Sequence, residues 1–304
     1  ARNYSGEFVS VPKTKCGFVV LLGAPNAGKS TLLNTIVGAK VSIVTPKVQT
    51  TRTRILGVSI AGDTQMVFID TPGIFEPKRR LDRAMVAAAW GGASESDVVL
   101  LLIDAKTGID RDTRRIIDGL KGTERQAICV LNKIDTVKRP SLLALTEQLV
   151  EEGLFSDFFM ISALNGDGVE DLKSELADRI SEGPWHFPED QLSDMNDRLF
   201  AAEITREKLY LNLHQELPYA LTVETETWEP FDNGAVKVEQ VIFVERDSQK
   251  GIVLGKGGDR IKRIRTQAQE ELTDILDRDV HLFLFVKVRE NWGEDPERYR
   301  DWRL

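Results

Sequence analysis

The chain has 304 residues, of which 41% are hydrophobic and 29% charged, and its formal net charge is −8. This length favours two domains, the composition is that of a globular protein, and no apolar run approaches the roughly 20 residues of a membrane span. A net acidic chain is also not a generally basic nucleic-acid binder, so any such contact requires a local cationic patch. Cys16 and Cys129 adjoin or lie in apolar runs, which predicts buried free thiols and a cytoplasmic location.

Short apolar runs that end in polar groups recur through the first part of the chain. They lie at 17–23, 66–70, 98–104, 127–133 and 158–163. Helical stretches separate several of them, for example around 111–121, 140–152 and 168–182. Runs that are apolar on both faces are typical of parallel strands covered by helices, so the pattern predicts a doubly wound α/β domain. Ligands of such domains bind at the carboxyl ends of the strands.

The first apolar run leads into "GAPNAGKS", from Gly23 to Ser30, and a helical stretch follows. This is the G-x-x-x-x-G-K-[ST] pattern in its strand–loop–helix context, which predicts a loop that wraps phosphates with its backbone N–H groups. Lys29 is expected to pair with the β- and γ-phosphates, and the Ser30 hydroxyl to ligate Mg²⁺.

The second run ends in "DTPG", from Asp70 to Gly73. An aspartate at this strand end can hold Mg²⁺ directly or through its water, and Gly73 can donate a backbone N–H to the γ-phosphate. Ile74 follows, and its apolar side chain cannot orient an attacking water.

The segment "NKID", from Asn132 to Asp135, identifies the base as guanine. Guanine presents N1–H and an exocyclic amine side by side, and the Asp135 carboxylate can accept both, whereas adenine would leave the carboxylate unpaired. Asn132 is expected either to brace the loop or to touch the base, and Lys133 to lie along it. "ISA", which ends the last run with Ser162 and Ala163, can supply a backbone N–H to guanine O6.

The pattern changes at "SEGPWHFPED", which predicts a linker. A helix, two hairpin strands, a second helix and a final strand are predicted beyond it, in the order α-β-β-α-β. The loop "GKGG", Gly255 to Gly258, lies between the apolar "IVL" and the second helix. Between Lys250 and Arg265 there are six basic residues and only Asp259 as an acid, which favours contact with nucleic-acid phosphates.

The four nucleotide motifs resemble the GTPase domain of the translation-factor-like class, and the glycine loop resembles a KH domain of the bacterial variant, type II. Together with "HFPED", "ITREKL", "ELPY", "VERDSQKGIVLGKGG" and "VHLFLFVKV", they resemble the Era family of bacterial GTPases over residues 15–290. The resemblance implies a GTP-hydrolysing switch that binds the 3′ end of 16S rRNA and assists assembly of the 30S ribosomal subunit.

The resemblance also implies roles for particular residues. A threonine of "QTTR" would close over Mg²⁺, with Thr51 preferred over Thr50, and Asn26 would hold a K⁺ ion in place of an arginine finger. For Arg52, the sequence leaves two interpretations open: a contribution to catalysis, or a solvated charge on the surface. The alternative functions are a membrane-associated signalling GTPase whose small C-terminal domain docks protein or lipid, and an RNA-binding scaffold that uses GTP structurally. Peripheral association with the cytoplasmic face of the inner membrane is left open as a second location.

The sequence thus predicts an N-terminal extension (1–16), a GTPase domain (17–182), a linker (183–198), a KH domain (199–290) and a tail (291–304). The predicted catalytic residues are Lys29, Asn26, Thr51 and Gly73, and the predicted Mg²⁺ ligands are Ser30, Thr51 and Asp70. The predicted GTP or GDP contacts are Gly23, Ala24, Pro25, Asn26, Ala27, Gly28, Lys29, Ser30, Thr31, Asp70, Thr71, Pro72, Gly73, Asn132, Lys133, Asp135, Ser162 and Ala163. The predicted RNA contacts are Gly255, Lys256, Gly257, Gly258, Arg260, Lys262 and Arg263.

Overall fold

The structure, a computed structural model, describes residues 13–123, 125–213 and 217–292. Most of the predicted N-terminal extension and all but the first two residues of the predicted tail lie outside these ranges. The strand β1 (Lys15–Gly23) begins two residues before the predicted start of the GTPase domain.

The large domain contains a six-stranded sheet of β1, β2 (Ile55–Ala61), β3 (Thr64–Asp70), β4 (Val98–Asp104), β5 (Ala127–Asn132) and β6 (Phe155–Met160). The order across the sheet is β2-β3-β1-β4-β5-β6, and every neighbouring pair is parallel except the antiparallel pair of β2 and β3. The sequence prediction lacks β2, because Gly57 and Ser59 interrupt its apolar pattern. Its place at the edge of the sheet, as a hairpin partner of β3, does not require an apolar run on both faces.

Five helices cover the sheet: α1 (Lys29–Val37), α2 (Arg80–Glu95), α3 (Arg111–Lys121), α4 (Arg139–Glu151) and α5 (Val169–Arg179). Alternate residues of β1 enter the two layers of the core. Leu21 packs in the layer with α1 and α5, and Leu22 packs in the layer with α2, α3 and α4. Burial of each such leucine contributes about 2 kcal/mol. The doubly wound α/β prediction is therefore confirmed.

The position of β1 explains where the ligand loop lies. Its two neighbours, β3 and β4, are each followed by a helix on the same face of the sheet, whereas β1 itself leads into α1 on the opposite face. A crevice forms outside the carboxyl end of a strand at such a reversal. The segment Gly23–Ser30 leaves β1 at this point.

The predicted linker is fixed to the edge of the large sheet. The buried Gln65 side chain of β3 accepts hydrogen bonds from the backbone N–H groups of His186 and Phe187, at 2.9 and 3.0 Å. The Val58 N–H of β2 donates to the Leu192 carbonyl at 2.8 Å. The linker is therefore bound to the large domain along this edge of the sheet.

The small domain consists of α6 (Asp197–Asn212), β7 (Leu221–Pro230), β8 (Val236–Val244), α7 (Asp247–Leu254), α8 (Asp259–Leu276) and β9 (Val280–Val288). Its sheet has the order β7-β8-β9, with β8 antiparallel to β7 and parallel to β9. The α+β class is confirmed, but the order is α-β-β-α-α-β. The helix α7 is missing from the sequence prediction because it has only eight residues, contains Gly251, and gives no extended periodic pattern.

Two further observations bear on the first predictions from composition. Within the three described ranges, no helix combines the length and the apolar character that crossing a membrane requires. Both cysteines are free thiols, but only Cys129 is buried, whereas Cys16, the second residue of β1, is half-buried.

Candidate functional site

The loop Gly23–Ser30, called the phosphate loop below, is held in a closed curve by its own lysine. The Lys29 side chain is only 6% exposed, and its Nζ donates to the carbonyls of Gly23 and Ala24 at 3.1 and 3.0 Å. Gly28 has φ 99°, and a Cβ there would lie 2.1 Å from Nδ2 of Asn132. Only glycine permits this backbone and this close approach.

The surroundings of Lys29 favour binding of an anion beside it. Burial lowers its pKa to about 8, and the nearby Asp70 carboxylate only partly counteracts this effect. A phosphate group at the loop would restore the charged form by direct attraction. The phosphate-binding prediction for Lys29 therefore has a matching electrostatic environment.

A cluster of oxygen atoms surrounds the carboxylate of Asp70, at the end of β3. Its Oδ2 accepts hydrogen bonds from the hydroxyls of Ser30, Ser42 and Thr51, at 2.6, 3.0 and 3.4 Å. Its Oδ1 is buried and has no hydrogen-bond partner among the described residues. Burial raises the pKa of Asp70, and Lys29 and the hydroxyls oppose that rise.

This donor set fits Mg²⁺, which prefers oxygen ligands and binds through one or two carboxylates together with substrate phosphates. Ser30 and Thr51 lie together, since their hydroxyl oxygens are 2.8 Å apart. Ser42 was missed by the sequence reasoning, because nothing in the local pattern around it indicates contact with a strand end 28 residues later.

The two candidate threonines point in different directions. Thr51 is buried and faces Ser30 and Asp70. The Thr50 hydroxyl instead lies 2.6 Å from that of Thr45 and donates to the Lys47 carbonyl at 2.8 Å. The geometry therefore supports Thr51 as the metal-facing residue.

The "DTPG" segment packs directly on the phosphate loop. The Thr71 hydroxyl donates to the Leu21 carbonyl at 2.7 Å, so it anchors the segment to β1. A Cβ on Gly73 would lie 2.8 Å from the backbone N and Cα of Pro25, so this position requires glycine. Ile74 is fully buried, and its N–H donates to the Gly23 carbonyl at 3.1 Å.

Asn132 connects three segments of the site. Its Nδ2 donates to the Ala27 carbonyl at 2.9 Å. Its Oδ1 accepts from the backbone N–H groups of Lys133 and Ala163, at 2.8 and 2.9 Å. Of the two roles left open by the sequence, bracing the loop is the one that the structure shows.

Lys133, which follows Asn132, contacts the phosphate loop and the end of β4. Lys133 has φ 63°, and its Nζ donates to the Asn26 carbonyl and to Oδ2 of Asp104, both at 2.7 Å. Asp104 ends β4 and was not singled out from the sequence, although the general rule that polar groups end these strands includes it.

Asp135 is exposed, in a short 3₁₀ helix (Ile134–Thr136), and within the described ranges its carboxylate has no hydrogen-bond partner. It is thus available to a base. The N–H of Ser162 donates to the Asp167 carbonyl at 3.0 Å, and that of Ala163 donates to Asn132. Both amides of the predicted O6 contact therefore already have acceptors, and the O6 contact stays a prediction.

The phosphate loop opens onto a cavity of about 620 Å³, whose lining also includes residues 43–46 and 49–51, Gly73, Asp104, Lys133 and the beginning of α3. The lining does not include Asp70, Asn132, Asp135, Ser162 or Ala163. The Asn26 side chain lies at this cavity, where its Nδ2 donates to the Pro46 carbonyl at 3.0 Å. The volume is in the range of small-molecule sites.

The second candidate surface is the "GKGG" loop between α7 and α8. Gly255, Gly257 and Gly258 all have positive φ, at 76°, 62° and 82°. Lys256, Lys262 and Arg263 are exposed, as a phosphate contact requires. Arg260 is half-buried and its guanidinium donates to the Ile252 carbonyl, so it also joins α8 to α7.

Arg52 is neither at the nucleotide site nor in solvent, which corrects both sequence alternatives. Its side chain is buried in the small domain, where it donates to the Leu221 carbonyl at 2.7 Å and to the Tyr210 hydroxyl at 2.9 Å. The sequence gives no sign of this contact, because its partners are more than 150 residues away.

Comparisons with known proteins agree with this geometry. A family model described as a 50S ribosome-binding GTPase matches residues 18–133, and a KH domain model matches residues 216–293. The GTPase Era of Sinorhizobium medicae (strain WSM419) is 60% identical over 291 residues, which is 96% of this chain and 94% of the relative. The GTPase Era of Agrobacterium fabrum (strain C58) is 59% identical over 300 residues, 99% of this chain and 94% of the relative.

Solved structures are similar over nearly the full length. Era in complex with MgGDPNP and nucleotides 1506–1542 of 16S ribosomal RNA has a TM-score of 0.92 at 38% identity, and covers 96% of this chain and 100% of that one. An Aquifex aeolicus Era variant bound to GDP and AlF₄⁻ has a TM-score of 0.91 at 38% identity, with the same coverage.

Proposed function

The chain belongs to the Era family of GTPases, and from this premise we propose that it is a GTP-hydrolysing switch that binds 16S rRNA near its 3′ end and assists assembly of the 30S subunit. The observation that carries the proposal is the cavity lined by Lys29, Ser30 and Thr51, with Asp70 and Asn132 each hydrogen-bonded to a residue of that lining. RNA binding by the small domain and GTP hydrolysis by the large one are then coupled activities of one molecule.

Each part of the site has a role in hydrolysis. Lys29 and the backbone N–H groups of the phosphate loop bind the β- and γ-phosphates and stabilise the charge that develops between them. Ser30, Thr51 and Asp70 hold Mg²⁺, which neutralises phosphate charge when it is bound. Gly73 packs on Pro25 of the phosphate loop, and its backbone N–H is the donor that we assign to the γ-phosphate.

Asn26 is the residue that we assign to a monovalent cation. Its Nδ2 is engaged with the Pro46 carbonyl, so Oδ1 is the atom that would hold K⁺ beside the phosphates. A monovalent cation there would neutralise charge that builds up on the phosphates in the transition state. GTP turnover measured in equal concentrations of K⁺ and Na⁺ tests this role. Faster turnover in K⁺ is expected, and equal rates in the two salts would rule out the K⁺-binding role of Asn26.

The RNA-binding role of the glycine loop is tested with Gly258→Asp and its matched control, Gly234→Asp in the turn between β7 and β8. Both glycines have positive φ, and a Cβ at either meets no atom within 4 Å, so each change adds one negative charge without a clash. Gly258→Asp should weaken binding of an oligonucleotide with the 16S 3′-terminal sequence at least tenfold, roughly the effect of 1.4 kcal/mol. Gly234→Asp should leave it within twofold, and equal affinities of the two variants would refute the assignment.

The cytoplasm is the proposed location, since a partner on the 30S subunit is found there. The alternative of peripheral binding to the inner membrane is separated by sedimentation with anionic vesicles beside the RNA gel shift. Binding to the oligonucleotide without co-sedimentation supports the ribosomal role. Co-sedimentation without RNA binding would favour the membrane-associated alternative.

A further inference from the structure

The segment that carries Thr51 is bound on its other side by the small domain. This segment, residues 44–53, is called the Thr51 segment. Arg52 extends from it into the small domain, is 3% exposed, and donates to the carbonyls of Leu221 and Pro218 and to the hydroxyl of Tyr210, at 2.7, 3.2 and 2.9 Å. A single side chain of the large domain therefore fills a polar socket in the small one.

The charge of Arg52 depends on that socket. In the part of the chain that the structure describes, no carboxylate forms an ion pair with it, and burial lowers the pKa of its guanidinium. The compensation comes from four oxygen acceptors, namely the three above and the Tyr219 carbonyl at 3.4 Å, and from the nearby charge of Glu203. The rings of Tyr210 and Trp292 add to it, with centroids 5.8 and 5.5 Å from the guanidinium carbon. A buried cation without these partners is strongly disfavoured, so Arg52 holds the two domains in one arrangement.

Helix α6 also binds the backbone of the Thr51 segment. Nη2 of Arg206 donates to the Thr50 carbonyl at 2.5 Å, and the Val44 N–H donates to Oε1 of Glu207 at 2.9 Å. Arg206 is itself fixed, because Glu203 forms a buried ion pair with it. The small domain thus holds the segment on both sides of Thr51.

Thr51 lies between these anchors and faces the opposite way. Its hydroxyl oxygen is 2.8 Å from that of Ser30 and 3.4 Å from Oδ2 of Asp70. Thr50 and Arg52, its direct neighbours, both bind the small domain. A shift of about 1 Å in a positioned group can cost a factor of 100 in activity, so release of the anchors would displace the threonine enough to matter.

We propose that Arg52 is a positioning residue: docked in the small domain, it holds Thr51 at the Mg²⁺ site and thereby favours the GTP-bound over the GDP-bound state. The inference rests on the proposed function. Thr51 faces Ser30 and Asp70, the residues that would hold Mg²⁺ with it, and a γ-phosphate is present there only with GTP. The docking of Arg52 should therefore stabilise the GTP-bound state more than the GDP-bound state. By linkage, GTP binding strengthens the docking of the small domain by the same factor.

The test compares Arg52→Lys and Tyr210→Phe with the control Arg54→Ala. Lysine lacks the planar, forked guanidinium that binds several acceptors at once. Phenylalanine removes the Tyr210 hydroxyl, which accepts from Arg52, but keeps the aromatic ring. Arg54 lies two residues further along the chain than Arg52, and its ion pair is to Glu95 of the large domain, at 3.1 Å. Affinities for GDPNP and GDP are measured by calorimetry in saturating Mg²⁺ with the full chain.

Arg52→Lys should lower the affinity for GDPNP about tenfold relative to that for GDP, which corresponds to about 1.4 kcal/mol. Tyr210→Phe should change the ratio in the same direction by a smaller factor, and Arg54→Ala should leave it within twofold. A ratio unchanged in Arg52→Lys, including equal losses for both nucleotides, would mean that Arg52 only stabilises the fold. If Arg52→Lys does not fold, the ratio in Tyr210→Phe decides in the same way. A wild-type chain that binds neither guanine nucleotide would instead overturn the proposed function.

Discussion

Replacement of Asn132 by alanine tests whether this side chain holds the nucleotide site together. The change removes three hydrogen bonds, to the Ala27 carbonyl and from the N–H groups of Lys133 and Ala163. Each buried hydrogen bond contributes about 1 kcal/mol net, so the free energy of unfolding should fall by about 3 kcal/mol. The affinity for GDP should also fall at least tenfold, because the loops that bind phosphate and base lose their common brace.

Urea denaturation without nucleotide gives the stability, and calorimetry gives the affinity for GDP. The matched control is Asn233→Ala, since the exposed Asn233 accepts one bond, from the Ala235 N–H at 3.1 Å, in a turn far along the chain. That variant should lose less than about 1 kcal/mol. If Asn132→Ala behaves like the control in both assays, the bracing role is wrong.

Three further changes test the site, the domain contact and the core. Gly73→Ala places a Cβ 2.8 Å from the backbone of Pro25, so single-turnover GTP hydrolysis should slow at least tenfold, and wild-type turnover would contradict this. Burial raises the pKa of Glu271, but its contacts with Lys208 and Lys40 outweigh burial and hold the pKa below 4.5. The carboxylate therefore stabilises the fold above that pH, and this contribution is lost as the pH falls through the folded-state pKa. In Glu271→Gln the unfolding free energy should therefore fall less as the pH is lowered below 4.5, and a fall equal to that of the wild type would contradict the shift. Leu102→Ala empties a fully buried position and should cost about 2–5 kcal/mol in urea denaturation, whereas a loss below about 1 kcal/mol would not fit the core described.

The features that could be predicted from the sequence are those that short segments specify by themselves. Buried parallel strands are apolar on both faces, so β1, β3, β4 and β5 were recognisable without tertiary information. The phosphate loop was equally recognisable, because glycine and lysine at fixed spacing are required by backbone geometry and phosphate charge.

The features that were missed depend on partners distant in the sequence. Arg52 carries no local sign of burial, since its acceptors are backbone carbonyls on the other domain. Ser42 reaches Asp70 only because the segment after α1 folds back over the strand ends. The hydrogen bonds that the Ser162 and Ala163 amides make, to Asp167 and Asn132, likewise depend on residues outside the segment, and the contact to guanine O6 stays a prediction.

Discrimination between guanine and adenine is the central claim, and it is assigned to the exposed carboxylate of Asp135. Calorimetric titration of the full chain with GDP and with ADP tests it most directly. A site built to pair with a substrate's donors rejects an analogue that lacks them by a factor of about 10⁴, so binding of ADP should be at least a thousandfold weaker, and Asp135→Asn should lose most of the preference for GDP. ADP bound as tightly as GDP by the wild-type chain would contradict the account.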